Sequence, residues 1–136
     1  MKTVKPAISF WCIAAMGLIW NLMGCMNFIS QTNADALAQF PESYQAVIAS
    51  RPAWATAAFA VAVFGGAVGC ILLLMRRAVA VGVCALSLMG IALTLVHVVV
   101  GAGLSSQVLM PTLMSLLVGI VLFWVAYVAR QKDWLR

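Results

Sequence analysis

A few polar side chains interrupt the long apolar stretches of this 136-residue sequence, and their chemistry suits ligand binding. Asparagine amides and threonine hydroxyls donate and accept hydrogen bonds, and an indole offers an aromatic surface. Polar groups inside a membrane are costly and often functional. We therefore expect one substrate-binding pocket, lined by Asn21, Asn27, Trp54, Thr56 and His97.

His97 is the one histidine in the chain, and histidine is the residue type that can change its charge near neutral pH. It can bind a proton, a haem iron or a metal ion, or it can be a hydrogen-bonded structural group near a helix end. Haem and metal sites normally need further ligands, and none stands at a suitable spacing. We therefore expect no cofactor and no metal site.

The sequence contains no complete catalytic motif. The four cysteines, Cys12, Cys25, Cys70 and Cys84, lie within apolar runs and form no CxxC pair. Buried cysteine packs as a small apolar residue. The apolar stretches also contain no carboxylate to serve as an acid, a base or a proton carrier. We therefore expect a protein that is not an enzyme.

The composition indicates a membrane protein. The chain is 65% hydrophobic and 8% charged, whereas soluble domains are about 25% charged. Its net charge of +5 comes from basic residues beside the apolar runs, where they are typical membrane anchors. The partner predicted by this pattern is the lipid bilayer and not nucleic acid.

Four apolar stretches are long enough to cross a bilayer: Ile8–Ser30, Ala53–Met75, Ala78–Val100 and Val108–Ala129. Backbone amides cannot stay unpaired in lipid, so each stretch should be helical. The sequence predicts an all-α membrane protein, with a single domain over residues 1–136 that forms an antiparallel four-transmembrane-helix bundle.

The long connection, residues 31–52, contains a second helix signal. Pro41 favours a helix start, and a helix over Glu42–Ser50 would place Tyr44, Val47 and Ile48 on one side. This pattern predicts a short amphipathic helix at the outer membrane interface. An irregular loop is the alternative.

The basic residues predict the orientation. In a four-pass arrangement, only Arg51 falls on one side, and the other basic residues fall together: Lys2, Lys5, Arg76, Arg77, Arg130, Lys132 and Arg136. Positive residues stay in the cytoplasm. We expect both termini on the cytoplasmic side of a bacterial inner membrane and the long connection on the outer side.

Cleavage of the first apolar stretch is an alternative. Leu22-Met23-Gly24-Cys25 is similar to a lipoprotein cleavage site. The stretch is long for a signal peptide and contains Trp20 and Asn21, which favours an uncleaved helix.

Small residues predict how the helices pack. Gly65, Gly66 and Gly69 form a smooth face on the second span, including a GxxxG spacing. This face can pack within the bundle, or it can join a homo-oligomer or a larger membrane complex.

The segment Trp20-Asn21-Leu22-Met23-Gly24 resembles the first helix of a family of small four-pass bacterial inner-membrane proteins. Phe64-Gly65-Gly66-Ala67-Val68-Gly69, with the later Arg76-Arg77, resembles the second helix of that family. Its members are mostly uncharacterised and are sometimes labelled as sugar transporters. They often carry an acidic residue near the position of Asn27, and its absence here argues against a proton-coupled role.

Three functional hypotheses follow, and one of them, an electron-transfer or haem-binding subunit, would need a second iron ligand that the sequence does not show. The first is a non-enzymatic accessory or interaction protein, which predicts glycine faces buried against a partner and no ordered polar cavity. The alternative is a transporter for a small solute such as a sugar, working as an oligomer, which predicts that the polar residues line one cavity.

Overall fold

The structure, a computed structural model, describes residues 4–101 and 106–136. It contains α1 (Ile8–Thr32), α2 (Ala34–Leu37), α3 (Glu42–Ser50), α4 (Ala53–Leu74), α5 (Ala80–Gly101) and α6 (Ser106–Gln131). No β-strand occurs in these two segments. The predicted all-α fold is therefore confirmed.

Four of these helices, α1, α4, α5 and α6, are long and apolar enough to cross a membrane. Each has 22 to 26 residues, and a helix rises about 1.5 Å per residue, so each can span a hydrocarbon core of about 30 Å. The protein is a multi-pass membrane protein. The predicted spans begin at the same residues as α1 and α4, at Ile8 and Ala53. At the other six ends, the predicted spans and the helices differ by one or two residues.

Helix α6 begins at Ser106, two residues before the predicted start of the fourth span. The prediction placed the polar pair Ser106 and Gln107 in the connection. A helix can include such residues, because its first turn reaches the wet interface of the membrane. The rest of that predicted connection, residues 102–105, lies outside the described residues, as does Lys2.

The amphipathic helix predicted after Pro41 is also confirmed. Helix α3 covers Glu42–Ser50, and Pro41 precedes it with a φ of −56°, the value its ring favours. Tyr44, Val47 and Ile48 are half-buried on one face, while Glu42 is exposed on the other.

Between α1 and α3, Asn33 is extended and caps α2. Its side-chain oxygen accepts hydrogen bonds from the backbone amides of Asp35 at 3.0 Å and Ala36 at 3.2 Å. These bonds satisfy amides that the first turn of a helix leaves unpaired.

The four long helices pack antiparallel, through small residues. Gly24 and Gly17 of α1 lie beside Val63 and Cys70 of α4, respectively, so these two helices run in opposite directions. Likewise, Gly90 of α5 lies against the backbone of Ala58 and Ala62 in α4. Helix α6 then packs against α5, while α1 and α6 contact each other less extensively.

The small-residue face of α4 is used inside this bundle. Gly66 lies against Asn21 of α1, Gly69 against Cys84 of α5, and Gly65 against Ser87 of α5. Gly66 and Gly69 are buried there, and Gly65 is half-buried. Close backbone approach at small residues replaces the hydrophobic effect that lipid removes.

One end of the bundle, here named the termini end, holds the chain termini and the turn between α4 and α5 together. The Arg76 guanidinium donates from Nε to the carbonyl of Trp134 at 2.7 Å, and from Nη2 to that of Val4 at 3.0 Å. The backbone amides of Ala78 and Arg136 donate to the carbonyls of Arg136 and Arg76, both at 2.6 Å. The opposite end, which carries α3, is named the α3 end.

The bundle core is densest towards the termini end. Phe10, Leu73, Cys70 and Ala126 are fully or almost fully buried in one cluster together with Leu122. All four cysteines are free, and three of them are buried while Cys12 is exposed. The main buried cluster of the described residues therefore lies at the termini end.

Candidate functional site

A cavity of about 370 Å³ lies among α1, α4, α5 and α6. On α1 its wall extends from Trp20 to Gln31, a distance of about 16 Å along a helix. Leu122 and Cys84 line its deepest part, next to the buried cluster. Tyr44 and Val47 of α3 line its other end. The cavity therefore penetrates the bundle from the α3 end and stops at the core of the termini end.

Three of the five predicted substrate-binding residues, Asn21, Asn27 and His97, line this cavity. Asn21 is buried, and its amide nitrogen donates to the carbonyl of Gly17 at 2.7 Å. Its side-chain oxygen lies beside Gly66, where the missing Cβ makes the room. The structure thus fixes Asn21 through one half of its amide only.

The side chains of Asn27 and His97 make no hydrogen bond to another described residue, in contrast to the hydroxyls around them. Ser87 donates to the carbonyl of Ala62 at 2.6 Å, and Thr94 donates to that of Gly90 at 2.8 Å. Thr112, the third hydroxyl, donates to Val108 at 2.7 Å. Asn27 and His97 therefore keep their hydrogen-bonding capacity for a ligand.

The other two predicted residues do not line the cavity. Trp54 is 51% exposed and meets His97 edge to face, with ring centroids 5.6 Å apart. Its ring therefore supports the histidine from the side. The Thr56 hydroxyl donates to the carbonyl of Pro52 at 3.4 Å, at the N-cap of its own helix. The chemical type of a residue in a span was not enough to predict which face turns inward.

A hydrogen bond between α1 and α6 crosses the deeper half of the cavity. The indole nitrogen of Trp20 donates to the Ser115 hydroxyl at 3.4 Å. Below it, Gly17 lies against the Leu122 side chain. These contacts hold α1 and α6 together where the cavity ends.

A polar group at the cavity mouth, here named the mouth cluster, was not predicted from the sequence: Gln31, Tyr44 and Arg51. Nη2 of Arg51 donates to the Gln31 side-chain oxygen at 2.7 Å, and the Gln31 amide nitrogen donates to the Tyr44 hydroxyl at 2.9 Å. All three residues line the cavity. The sequence did single out Arg51, because it is the one basic residue predicted to lie on the opposite side of the membrane from the others.

Arg51 is half-buried among uncharged groups. Its guanidinium lies 5.5 Å from the centre of the Phe59 ring, and its Nε is buried without a hydrogen-bond partner among the described residues. Burial lowers the pKa of Arg51 below its ordinary value, while the neighbouring Tyr44 acts in the opposite direction. A buried cation of this kind is costly unless an anion or further acceptors satisfy it.

The lining of the cavity is unbalanced in charge. Its described residues include Arg51 and His97, but neither aspartate nor glutamate. Apolar residues such as Val63, Ile91 and Val98 make up much of the remaining wall. Chemically, the site can bind a molecule with an apolar part and hydrogen-bonding groups.

The metal and haem alternatives for His97 would require further ligands near the imidazole. No group of three histidine, cysteine, aspartate or glutamate side chains suited to a metal ion occurs in residues 4–101 and 106–136. The neighbours of the imidazole include Trp54 and Gly101, which supply no metal-ligating side chain.

Comparison with known proteins found no match to this chain among family models, curated proteins or solved structures. The observations that bear on the function of this multi-pass membrane protein are therefore those of the cavity and its chemistry.

Proposed function

We propose that this protein binds a small solute in its intramembrane cavity and acts as a carrier or receptor for that solute, without catalysing a reaction. The observation that supports this most directly is the cavity itself, lined by Asn21, Asn27 and His97. Its volume of about 370 Å³ falls in the range of about 300–1,000 Å³ that small-molecule pockets occupy.

The same observation favours this hypothesis over the accessory role. An accessory protein was expected to have no ordered polar cavity and to bury its glycine faces against a partner. Here Gly66 and Gly69 are already occupied by Asn21 and Cys84 of the same chain. A homo-oligomer formed through this helix would have to use Gly65 and the residues around it.

The orientation proposed is cytoplasmic termini in a bacterial inner membrane. The termini end carries the described basic residues other than Arg51: Lys5, Arg76, Arg77, Arg130, Lys132 and Arg136. Positive residues favour the cytoplasmic side. The cavity mouth with Arg51 then opens to the outside.

The resemblance to the four-pass family, in which some members are labelled as sugar transporters, points in the same general direction. The apolar walls favour a solute that has an apolar part over a free sugar. Transport across the membrane also requires access from both sides. Since the buried cluster closes the termini end of one bundle, we propose that a carrier would work as an oligomer or by a change in helix packing.

Cysteine labelling tests this proposal with a matched pair. In a background with Cys12, Cys25, Cys70 and Cys84 replaced by alanine, Asn27→Cys places a thiol in the cavity. Met26→Cys places one at nearly the same depth on the lipid-facing side, where Met26 is 69% exposed. A thiol must ionise to react, and lipid prevents this.

A membrane-impermeant cationic methanethiosulfonate, added to spheroplasts, should modify Asn27→Cys and leave Met26→Cys unmodified. Equal labelling of the two variants would contradict a water-accessible cavity. Labelling of Asn27→Cys only in inverted vesicles would retain the cavity and overturn the orientation.

A further inference from the structure

The charge balance of the cavity indicates which end of a ligand it recognises. Among the described residues of the lining, Arg51 is the only side chain with a permanent charge, and none of them is a carboxylate. Its contacts are the amide oxygen of Gln31 and the face of Phe59, which are both neutral. An oxyanion is the natural partner of a guanidinium, which offers several N–H groups in one plane.

The remaining walls suit the rest of such a ligand. Between the mouth cluster and Asn21, most side chains that line the cavity are apolar, and the hydroxyls of Ser87, Thr94 and Thr112 are already bonded to helix carbonyls. Asn27 and His97 offer hydrogen bonds near the mouth. A short uncharged tail could extend from Arg51 towards Asn21, and the ten residues from Asn21 to Gln31 give that path a length of about 15 Å.

We propose that the ligand of this cavity is an amphipathic anion, with its carboxylate or phosphate group at Arg51 and its uncharged body between the helices. This inference rests on the proposed function, because it identifies the ligand class of the same cavity. The anion would supply the acceptor that the buried Nε of Arg51 lacks among the described residues.

The test uses the full chain carrying Asn27→Cys, in phosphatidylcholine nanodiscs, with the rate of thiol labelling as the readout. The probes are octanoate, the neutral 1-octanol of equal chain length, and inorganic phosphate, which has no apolar chain. Hydrogen bonds to charged groups contribute about 1.5–3 kcal/mol. Octanoate should therefore slow labelling at concentrations about 10- to 100-fold lower than octanol does. Inorganic phosphate should be far weaker than octanoate.

Variants separate the role of Arg51 from that of overall charge. Arg51→Gln should remove the preference for octanoate over octanol, and Arg51→Lys, which retains the charge, should keep most of it. Arg77→Gln, at an exposed arginine of the termini end, should leave it unchanged. Equal effects of octanoate and octanol on the parent chain, or equal loss in Arg51→Gln and Arg77→Gln, would overturn the proposal.

A further arm distinguishes a free anion from a lipid headgroup. If an anionic lipid is the ligand, nanodiscs with one-third phosphatidylglycerol should slow labelling without any octanoate, and Arg51→Gln should restore the rate. If the ligand is a free anion, that lipid should have no effect. Protection by octanol without a preference for octanoate would refute the proposal of an anionic ligand and retain the solute-binding site. Absence of protection by every probe and by the lipid would refute both proposals.

Discussion

The close approach of α4 and α5 can be tested by adding a single methyl group. A Cβ at Gly90 would lie 2.7 Å from the carbonyl oxygen of Ala58 and 2.9 Å from the amide nitrogen of Ala62. Both atoms belong to the backbone, so no side chain can rotate away. Gly90→Ala therefore requires α5 to move away from α4, or to rotate against it.

The size of the effect follows from these distances. Ordinary van der Waals contact begins near 3.4 Å, so the helices must separate locally by about 0.7 Å. Overpacking of this kind costs about 1–3 kcal/mol. The nearby bond from Ser87 to the Ala62 carbonyl, 2.6 Å long, would be stretched, and weakening it adds up to about 1 kcal/mol. We expect Gly90→Ala to lower the free energy of unfolding by about 1–4 kcal/mol.

The same helix provides a matched control. A Cβ at Gly82 would meet no atom within 4 Å, and alanine is a better helix former than glycine. Gly82→Ala should therefore be neutral or slightly stabilising. Unfolding in mixed micelles of dodecyl maltoside and sodium dodecyl sulfate, followed by tryptophan fluorescence, measures both variants. Equal stability of Gly90→Ala and the parent chain would refute the packing described for α4 and α5.

Three further changes test other contacts. Ser87→Ala removes the buried bond between α5 and α4 and should cost about 1 kcal/mol in the same unfolding assay; an unchanged stability would refute its contribution. Arg76→Ala removes the bonds to Trp134 and Val4, so carboxypeptidase should shorten the chain faster than in the exposed-residue control Arg77→Ala. Tyr44→Phe removes the acceptor of Gln31 at the mouth, which is worth about 0.5–1.5 kcal/mol, and should speed labelling of Asn27→Cys up to about tenfold; a slower rate would contradict a closing role for the mouth cluster.

The candidate site was predictable only in part. Polarity within apolar spans identified Asn21, Asn27 and His97, because each polar group in a membrane helix stands out against its surroundings. Trp54 and Thr56 met the same criterion, yet neither lines the cavity. Depth in the membrane can be read from position along a span, but the face that turns inward depends on contacts with the neighbouring helices.

Arg51 illustrates the same difference at the mouth. Its sequence position marked it as the one basic residue of the long connection, and nothing local indicated that Gln31, twenty residues earlier, accepts its hydrogen bond. That contact requires α1 to end beside the start of α4. The chain reversal through α2 and α3 brings the two ends together.

The sequence by itself determined the four membrane helices, their approximate ends and the helix after Pro41. The physical reason is local: a backbone in lipid must satisfy its own hydrogen bonds, and a long uncharged stretch can do so only as a helix. The tertiary structure decided which helices became neighbours and where a cavity formed between them. It also decided which polar groups were left without a hydrogen-bond partner. In lipid, apolar faces do not distinguish the core from the surroundings, so the inward face is selected by close steric fit at residues such as Gly66 and Gly90.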